Sequence, residues 1–288
     1  MIRYTTIMKR KRLINISRPR FWIYVLGTFM VGVIAAGDPR LLDLETLIIL
    51  GTLFWFFTYP ANLMIYGVND IYDYETDKHN PKKLEYEELV ELKDQKALWW
   101  NIALWIIPFF VVLFWLNWQA SLAFFIFNFA SVYYSATPIR AKANPPLDII
   151  FSSIIYISPV VVGFLATGNT NISWMGVVGG LLWASAMQTY SAVPDIEADT
   201  KGGVRTLATV LGQNRALWFC FIAYLSAAII GYIHLGIIPA ILGLVYLGMV
   251  FYTIINPTKS FWVYKKFPLV NTAFGMILFF LLVANFIK

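Results

Sequence analysis

Two short acidic constellations stand out in an otherwise apolar chain. The first lies in 59–84, YPANLMIYGVNDIYDYETDKHNPKKL, where Asn69, Asp73 and Asp77 recur every four residues beside Asp70. On one continuous helix that spacing places the three side chains on a single face. Oxygen-bearing groups so crowded repel one another unless a cation sits between them, and hard oxygen donors suit Mg²⁺ bridging to a phosphate. The second lies in 190–206, YSAVPDIEADTKGGVRT, where Asp195 and Asp199 are again four apart. Basic residues follow both clusters, Lys82 and Lys83 after the first and Lys201 and Arg205 after the second. Acidic groups would hold metal, and basic ones the phosphate oxygens that the metal bridges.

The elements that must position these residues are membrane helices. Of the 288 residues, 59% are hydrophobic and 13% charged, against about a quarter charged in a soluble domain. The expected fold is all-α and polytopic, with spans at roughly 21–37, 47–69, 97–116, 119–137, 147–167, 173–193, 216–233, 236–256 and 267–287. Nine spans with the N-terminus cytoplasmic leave only Arg40 and Lys288, of 22 Lys and Arg, on the outer side. That asymmetry obeys the positive-inside rule and accounts for the net charge of +6 without nucleic acid. Both acidic clusters then face the cytoplasm, and the C-terminus lies outside. The chain reads as one domain over 1–288, with a basic N-terminus (1–20) and a charged insertion at 78–96. The apolar segment after the basic start carries no small-residue cleavage motif, so it is read as a retained span. The insertion is either a connector or a lid over the acidic site that keeps water from a reactive intermediate.

Three further features bear on the site. The connection YYSATPIRAKANPPLD carries Tyr134, Arg140, Lys142 and Asp148. Its basic pair reads either as a topology signal or as a diphosphate contact that Asp148 orients. Tyr66, Tyr133, Tyr134 and Tyr190 lie near helix ends, as interfacial belt residues or as the lining of a mouth whose ring faces stabilise a developing cation. Gly202-Gly203 marks a turn or a close backbone approach and lacks the surroundings of a nucleotide-binding loop. The lone Cys220 excludes an intramolecular disulfide. A greasy diphosphate held by Mg²⁺ at the mouth of an apolar cavity fits these features together. A cation transporter fits less well, because the aspartates cluster at one face rather than at the midplane.

The sequence also resembles the UbiA superfamily of intramembrane prenyltransferases, over essentially its whole length. The signature N-D/E-x-x-D-x-x-x-D is present as Asn69-Asp70-Ile71-Tyr72-Asp73-Tyr74-Glu75-Thr76-Asp77, and D-x-x-x-D as Asp195-Ile196-Glu197-Ala198-Asp199. The resemblance implies nine helices around a central cavity open to lipid, with Mg²⁺ between the motifs. It makes Asn69, Asp73, Asp77, Asp195 and Asp199 the expected metal ligands, with Asp70 in the same cofactor-binding set. Arg140, Lys142, Lys201 and Arg205 are the expected diphosphate contacts, while Asp73, Asp195 and Tyr134 are expected to carry catalysis. The implied partners are an isoprenyl diphosphate donor, a lipophilic acceptor and membrane lipid. Within the superfamily the two motif stretches look most like the lycopene elongase branch, which implies dimethylallyl transfer to lycopene. Relatives with aromatic acceptors share the same metal end.

Overall fold

In the computed structural model the described residues are 8–38, 43–77 and 88–287, and every regular element among them is helical. Residues 78–87 of the charged insertion lie outside them. Six helical stretches are long and apolar enough to cross a bilayer: Leu44–Tyr72, Leu92–Phe114, Leu147–Ala166, Leu207–Leu235, Ile237–Ile255 and Phe267–Ala284. The chain is therefore an integral membrane protein with an all-α, polytopic fold. Against the expectation of nine spans, six helices of spanning length and apolarity are found among the described residues. Trp22–Ala35 has 14 residues and Trp118–Tyr133 has 16. At 1.5 Å per residue these reach about 21 and 24 Å, short of a hydrocarbon core of about 30 Å. Trp174–Ala192 has 19 residues, but Gly176, Gly179, Gly180, Ser185, Gln188 and Thr189 dilute its hydropathy.

The chain divides into two compact units. The first comprises residues 1–138 and 159–170. Its elements are α1 (Arg10–Ile16), α2 (Trp22–Ala35), α3 (Leu44–Thr58), α4 (Pro60–Tyr72), α5 (Tyr74–Asp77), α6 (Leu92–Ile106) and α7 (Trp118–Tyr133), with the C-terminal part of α8 (Leu147–Ala166). Helices α3 and α4 form one span bent at Tyr59-Pro60. Proline has no N–H to continue the helical ladder, so carbonyls near the bend need another donor. The buried Asn62 carboxamide supplies it, giving its Nδ2 hydrogens to Phe57 O (3.0 Å) and Thr58 O (2.8 Å).

Around that bend Phe56, Phe57, Phe124 and Phe127 are fully buried, with the Phe56–Phe124 and Phe57–Phe127 centroids 4.7 and 5.2 Å apart. Helix α4 packs against α1, α6 and α7, so this core fixes the helix that carries the first acidic motif. Small residues bring α2 onto the end of α8. A Cβ on Gly32 would lie 2.0 Å from Val160 O, and one on Gly163 would lie 2.4 Å from Phe29 O. Glycine permits this backbone contact, which is how membrane helices gain packing where lipid offers no hydrophobic drive. Asn117 closes the unit's other end. Its Oδ1 caps Ala120 N–H of α7 at 2.8 Å, and its Nδ2 reaches Leu165 O at 2.8 Å.

The second unit comprises residues 139–158 and 171–288. It contains the N-terminal part of α8, then α9 (Trp174–Ala192), α10 (Ile196–Lys201), α11 (Leu207–Leu235), α12 (Ile237–Ile255), α13 (Ser260–Tyr264) and α14 (Phe267–Ile287). Helix α11 packs on α9 and α12 and is interrupted at Gly212, whose φ is +72°. Its core is aromatic, with Tyr224 stacked on Tyr246 at 4.8 Å and Tyr190 on Phe267 at 4.6 Å. Tyr190, a candidate for lining a mouth, is instead fully buried there, and its hydroxyl meets Thr253 Oγ1 at 2.5 Å. A ring with a polar tip suits a core when the tip has a partner.

Candidate active site

The first acidic motif straddles the end of α4. Asn69 lies in its last turn, Asp73 follows the final residue with φ −106° and ψ 10°, and Asp77 ends α5. The expected continuous helix is thus broken at Asp73. The four-residue register survives the break, because Asp73 N–H bonds Asn69 O (3.0 Å) and Asp77 N–H bonds Asp73 O (2.8 Å). Carboxylates at a helix C-terminus meet the negative end of the helix dipole, which disfavours their charge. Asn69 Oδ1 accepts a hydrogen bond from Ser135 Oγ (3.1 Å), just beyond α7 and next to Tyr134. Tyr134 is half-buried at the end of α7. Asp70 is buried and ion-paired with Arg18, Oδ1 to Nη2, at 2.8 Å. The N-terminal segment is pinned a second time at Arg12, which reaches Glu88 (2.8 Å), Asp94 (2.6 Å) and Leu89 O (3.3 Å). Beside it, Gln95 Nε2 donates to Ile71 O in the last turn of α4, at 2.8 Å.

The second motif also follows a helix break. Helix α9 ends at Ala192, Pro194 opens a 3₁₀ turn over Val193–Asp195, and α10 carries Asp199 in its first turn. Asp195 is exposed and Asp199 half-buried. Burial and the charge of Asp195 push the Asp199 carboxyl up to about 6. Helix α10 stops in a Schellman turn, with Val204 N–H on Asp199 O (2.8 Å) and Gly203 N–H on Thr200 O (3.2 Å). Gly203 has φ +69° there, which resolves the glycine pair as a helix stop. The stop leaves Lys201 and Arg205 exposed on either side of the turn. Lys201 Nζ bonds Glu197 Oε1 at 2.6 Å, an open i,i+4 pair that contributes little and is readily exchanged for a better anion.

In the connection after α7, Arg140 adopts a left-handed conformation with φ 43°, and Lys142 lies in the 3₁₀ turn Ala141–Ala143; both are half-buried. Asp148 does not orient either one. Its Oδ2 accepts from Leu207 N–H at 2.7 Å, fixing the start of α11 just after Arg205. The Thr206–Thr209 capping box secures the same helix start.

The structure thus groups Asn69, Asp73, Asp77 and Tyr134 in the first unit, and Arg140, Lys142, Asp195, Asp199, Lys201 and Arg205 in the second. Arg18 and Ser135 join the first group without a sequence signal for their role. Arg18 is one of seven basic residues in 1–20, set apart only by the Pro19 that follows it.

The donor set fits Mg²⁺. Every candidate ligand offers oxygen, and the repulsion between Asp195 and Asp199 is of the kind a cation relieves. Among the described residues no three His, Cys, Asp or Glu side chains form a ready-made metal cluster. Mg²⁺ is rarely held in an all-protein cage and commonly completes its shell with water and substrate phosphate.

Comparison with known proteins decides the family. The UbiA prenyltransferase family matches residues 25–259. The chain belongs to the UbiA prenyltransferase family. Within it, this UbiA chain is 38% identical over 278 residues to the lycopene elongase/hydratase of Haloarcula japonica, covering 92% of this chain and 88% of that one. It is 36% identical over 278 residues to the lycopene elongase/hydratase of Haloferax volcanii, covering 91% and 85%. The solved UbiA homologue of Archaeoglobus fulgidus bound to GPP and Mg²⁺ has a TM-score of 0.70 at 18% identity. That match covers 94% of this chain and 99% of the other, a likeness of fold.

Proposed function

We propose that this UbiA enzyme transfers a prenyl group from an allylic diphosphate to a lipophilic acceptor in the membrane, with Mg²⁺ as cofactor. The observation that carries the reading is the pair of acidic motifs, each set at a break where an apolar helix ends, the first with its four-residue register kept by hydrogen bonds across the break. Asn69, Asp73 and Asp77 are the ligands from one motif, Asp195 and Asp199 those from the other. Mg²⁺, when bound, makes diphosphate a better leaving group by stabilising the charge that gathers on its oxygens.

The chain's own residues do the rest. Arg140, Lys142, Lys201 and Arg205 bind diphosphate oxygens. Asp73 and Asp195 would help hold the metal beside the leaving group, and Tyr134 would offer the π density of its ring to positive charge developing on the allylic carbon. Apolar helix faces keep water from the allylic fragment until the acceptor's electrons form the new carbon–carbon bond. The acceptor cation then loses a proton directly, or adds water and releases a proton, giving a neutral product either way. The nine-span arrangement, with an inner N-terminus, an outer C-terminus and both motifs facing the cytoplasm, completes the reading as one domain over 1–288. It is supported by the charge asymmetry of the loops.

Relatives named lycopene elongase/hydratase, alike over nine-tenths of this chain, favour a carotenoid acceptor and a five-carbon donor. The test is incubation of membranes containing the protein with labelled dimethylallyl diphosphate and either lycopene or 4-hydroxybenzoate, with products identified by mass. A lycopene product longer by one or two five-carbon units is expected. Transfer to the phenol alone would exchange the carotenoid reading for an aromatic one. Transfer to neither, with the diphosphate intact, would remove the proposal.

A further inference from the structure

Asp70 sits inside the first motif, about 100° round the helix from Asn69. Its side chain is 1% exposed and its Oδ1 lies 2.8 Å from Arg18 Nη2, whose own side chain is 17% exposed. The Arg18 guanidinium also covers the Tyr66 ring, 4.8 Å from its centroid. A carboxylate buried at a helix C-terminus has neither water nor the dipole to stabilise it, so it needs a fixed counter-charge.

The elbow that delivers the counter-charge is itself tightly held. Arg18 has φ 51° and ψ 71°, uncommon for a residue with a Cβ, and precedes Pro19. Ser17 before it is fully buried, its Oγ donating to Ile14 O (2.7 Å) and its carbonyl accepting from Trp22 Nε1 (3.0 Å). Leu13 and Ile16 bury the inner side of α1 against the same unit. A residue serving only as a topology charge needs none of this.

We infer that Arg18 is a positioning residue for the first acidic motif. It holds Asp70 as a neutralised anchor, so that Asn69 and Asp73, and not Asp70, are presented to Mg²⁺. This rests on the metal reading of the motif given above. Without Arg18, Asp70 loses the counter-charge that lies against it at 2.8 Å, beside the ligands, and can draw the metal or a proton or rotate the last turn of α4. Removing both charges leaves a neutral pair of similar shape, which costs less than removing one.

The test is Mn²⁺ uptake by the purified full-length protein in detergent with inorganic diphosphate, followed by electron paramagnetic resonance. The unaltered chain is compared with Arg18→Gln, Arg18→Lys, Asp70→Asn and the double variant Arg18→Gln/Asp70→Asn. Arg18→Gln should weaken uptake by about tenfold or more, as loss of a residue that orients a ligand does. Arg18→Lys should recover part of the loss, and the double variant should bind more tightly than Arg18→Gln. Unaltered uptake by Arg18→Gln overturns the inference and makes the ion pair a matter of folding alone. So does a double variant no better than Arg18→Gln. Asp70→Asn losing Mn²⁺ while Arg18→Gln retains or tightens it would make Asp70 a direct ligand. Failure of the unaltered protein to take up Mn²⁺ removes the metal reading, and this inference with it.

Discussion

Ser135 Oγ lies 3.1 Å from Asn69 Oδ1, joining the segment just past α7 to the last turn of α4. The bond engages the oxygen through which a carboxamide would meet a hard cation, and it fixes which way that amide faces. Ser135→Ala should therefore weaken metal uptake by about tenfold while leaving the fold intact. Metal titration and thermal unfolding of the same purified sample separate the two effects. A lower melting temperature with unaltered metal affinity would make the contact purely structural.

Asp73 and Asp195 belong to different motifs, and the proposed chemistry needs both. Asp73→Asn and Asp195→Asn should each lower prenyl transfer by at least about a hundredfold. Groups acting as one unit are not additive, so the double variant should lose little more than either alone. Transfer rates with labelled donor measure this, and multiplied losses would mean that the motifs work independently.

Burial, and then the charge of Asp195, push the Asp199 carboxyl up to about 6. Because its folded value lies above the ordinary carboxylate value, the folded chain holds this proton more tightly than the unfolded chain. The resulting stability is fully present below about pH 4 and is lost as pH rises through about 6. Metal binding needs the carboxylate, so metal-induced stabilisation should fall as pH drops below 6. Melting curves with and without Mg²⁺ from pH 5 to 8 should show that dependence, and Asp199→Asn should flatten it.

Gly32 and Gly163 let α2 lie against the end of α8, where an added Cβ would meet backbone oxygen at 2.0 and 2.4 Å. Gly163→Ala should destabilise by about 1–3 kcal/mol, the cost typical of overpacking, and Gly32→Ala by at least as much. Unfolding in detergent reads the effect directly. Gly51→Ala, inside α3 with open space around it, serves as the control that should not destabilise.

Much of this was legible in the sequence because it depends on local chemistry. Apolar runs bounded by charge specify membrane helices whatever their packing, and D-x-x-x-D specifies two oxygens one turn apart. The Asn69–Asp73–Asp77 spacing kept its meaning even where the helix broke, since one residue's N–H still bonded the carbonyl four back. Gly202-Gly203 announced a turn, and a Schellman stop is what it became. Span counting went less well. Runs of 14 and 16 helical residues look like spans when flanking loop residues are apolar too, and only the backbone shows where the helix ends.

The partners of single polar side chains were not legible, because they are chosen by residues far away in the chain. Asp148 could have turned to Arg140, yet it caps Leu207, 59 residues on. Tyr190 read as a belt or mouth residue and is core, because Thr253 and Phe267 meet it there. Arg18 read as one basic residue among seven, until a buried carboxylate 52 positions away was found against it. The sequence alone determined the membrane class and the family and suggested an oxygen-rich ligand set, all readings of neighbouring residues. Tertiary structure decided which charged side chains are buried against a partner and which stay exposed, because burial makes a partner obligatory and packing determines which partner is within reach.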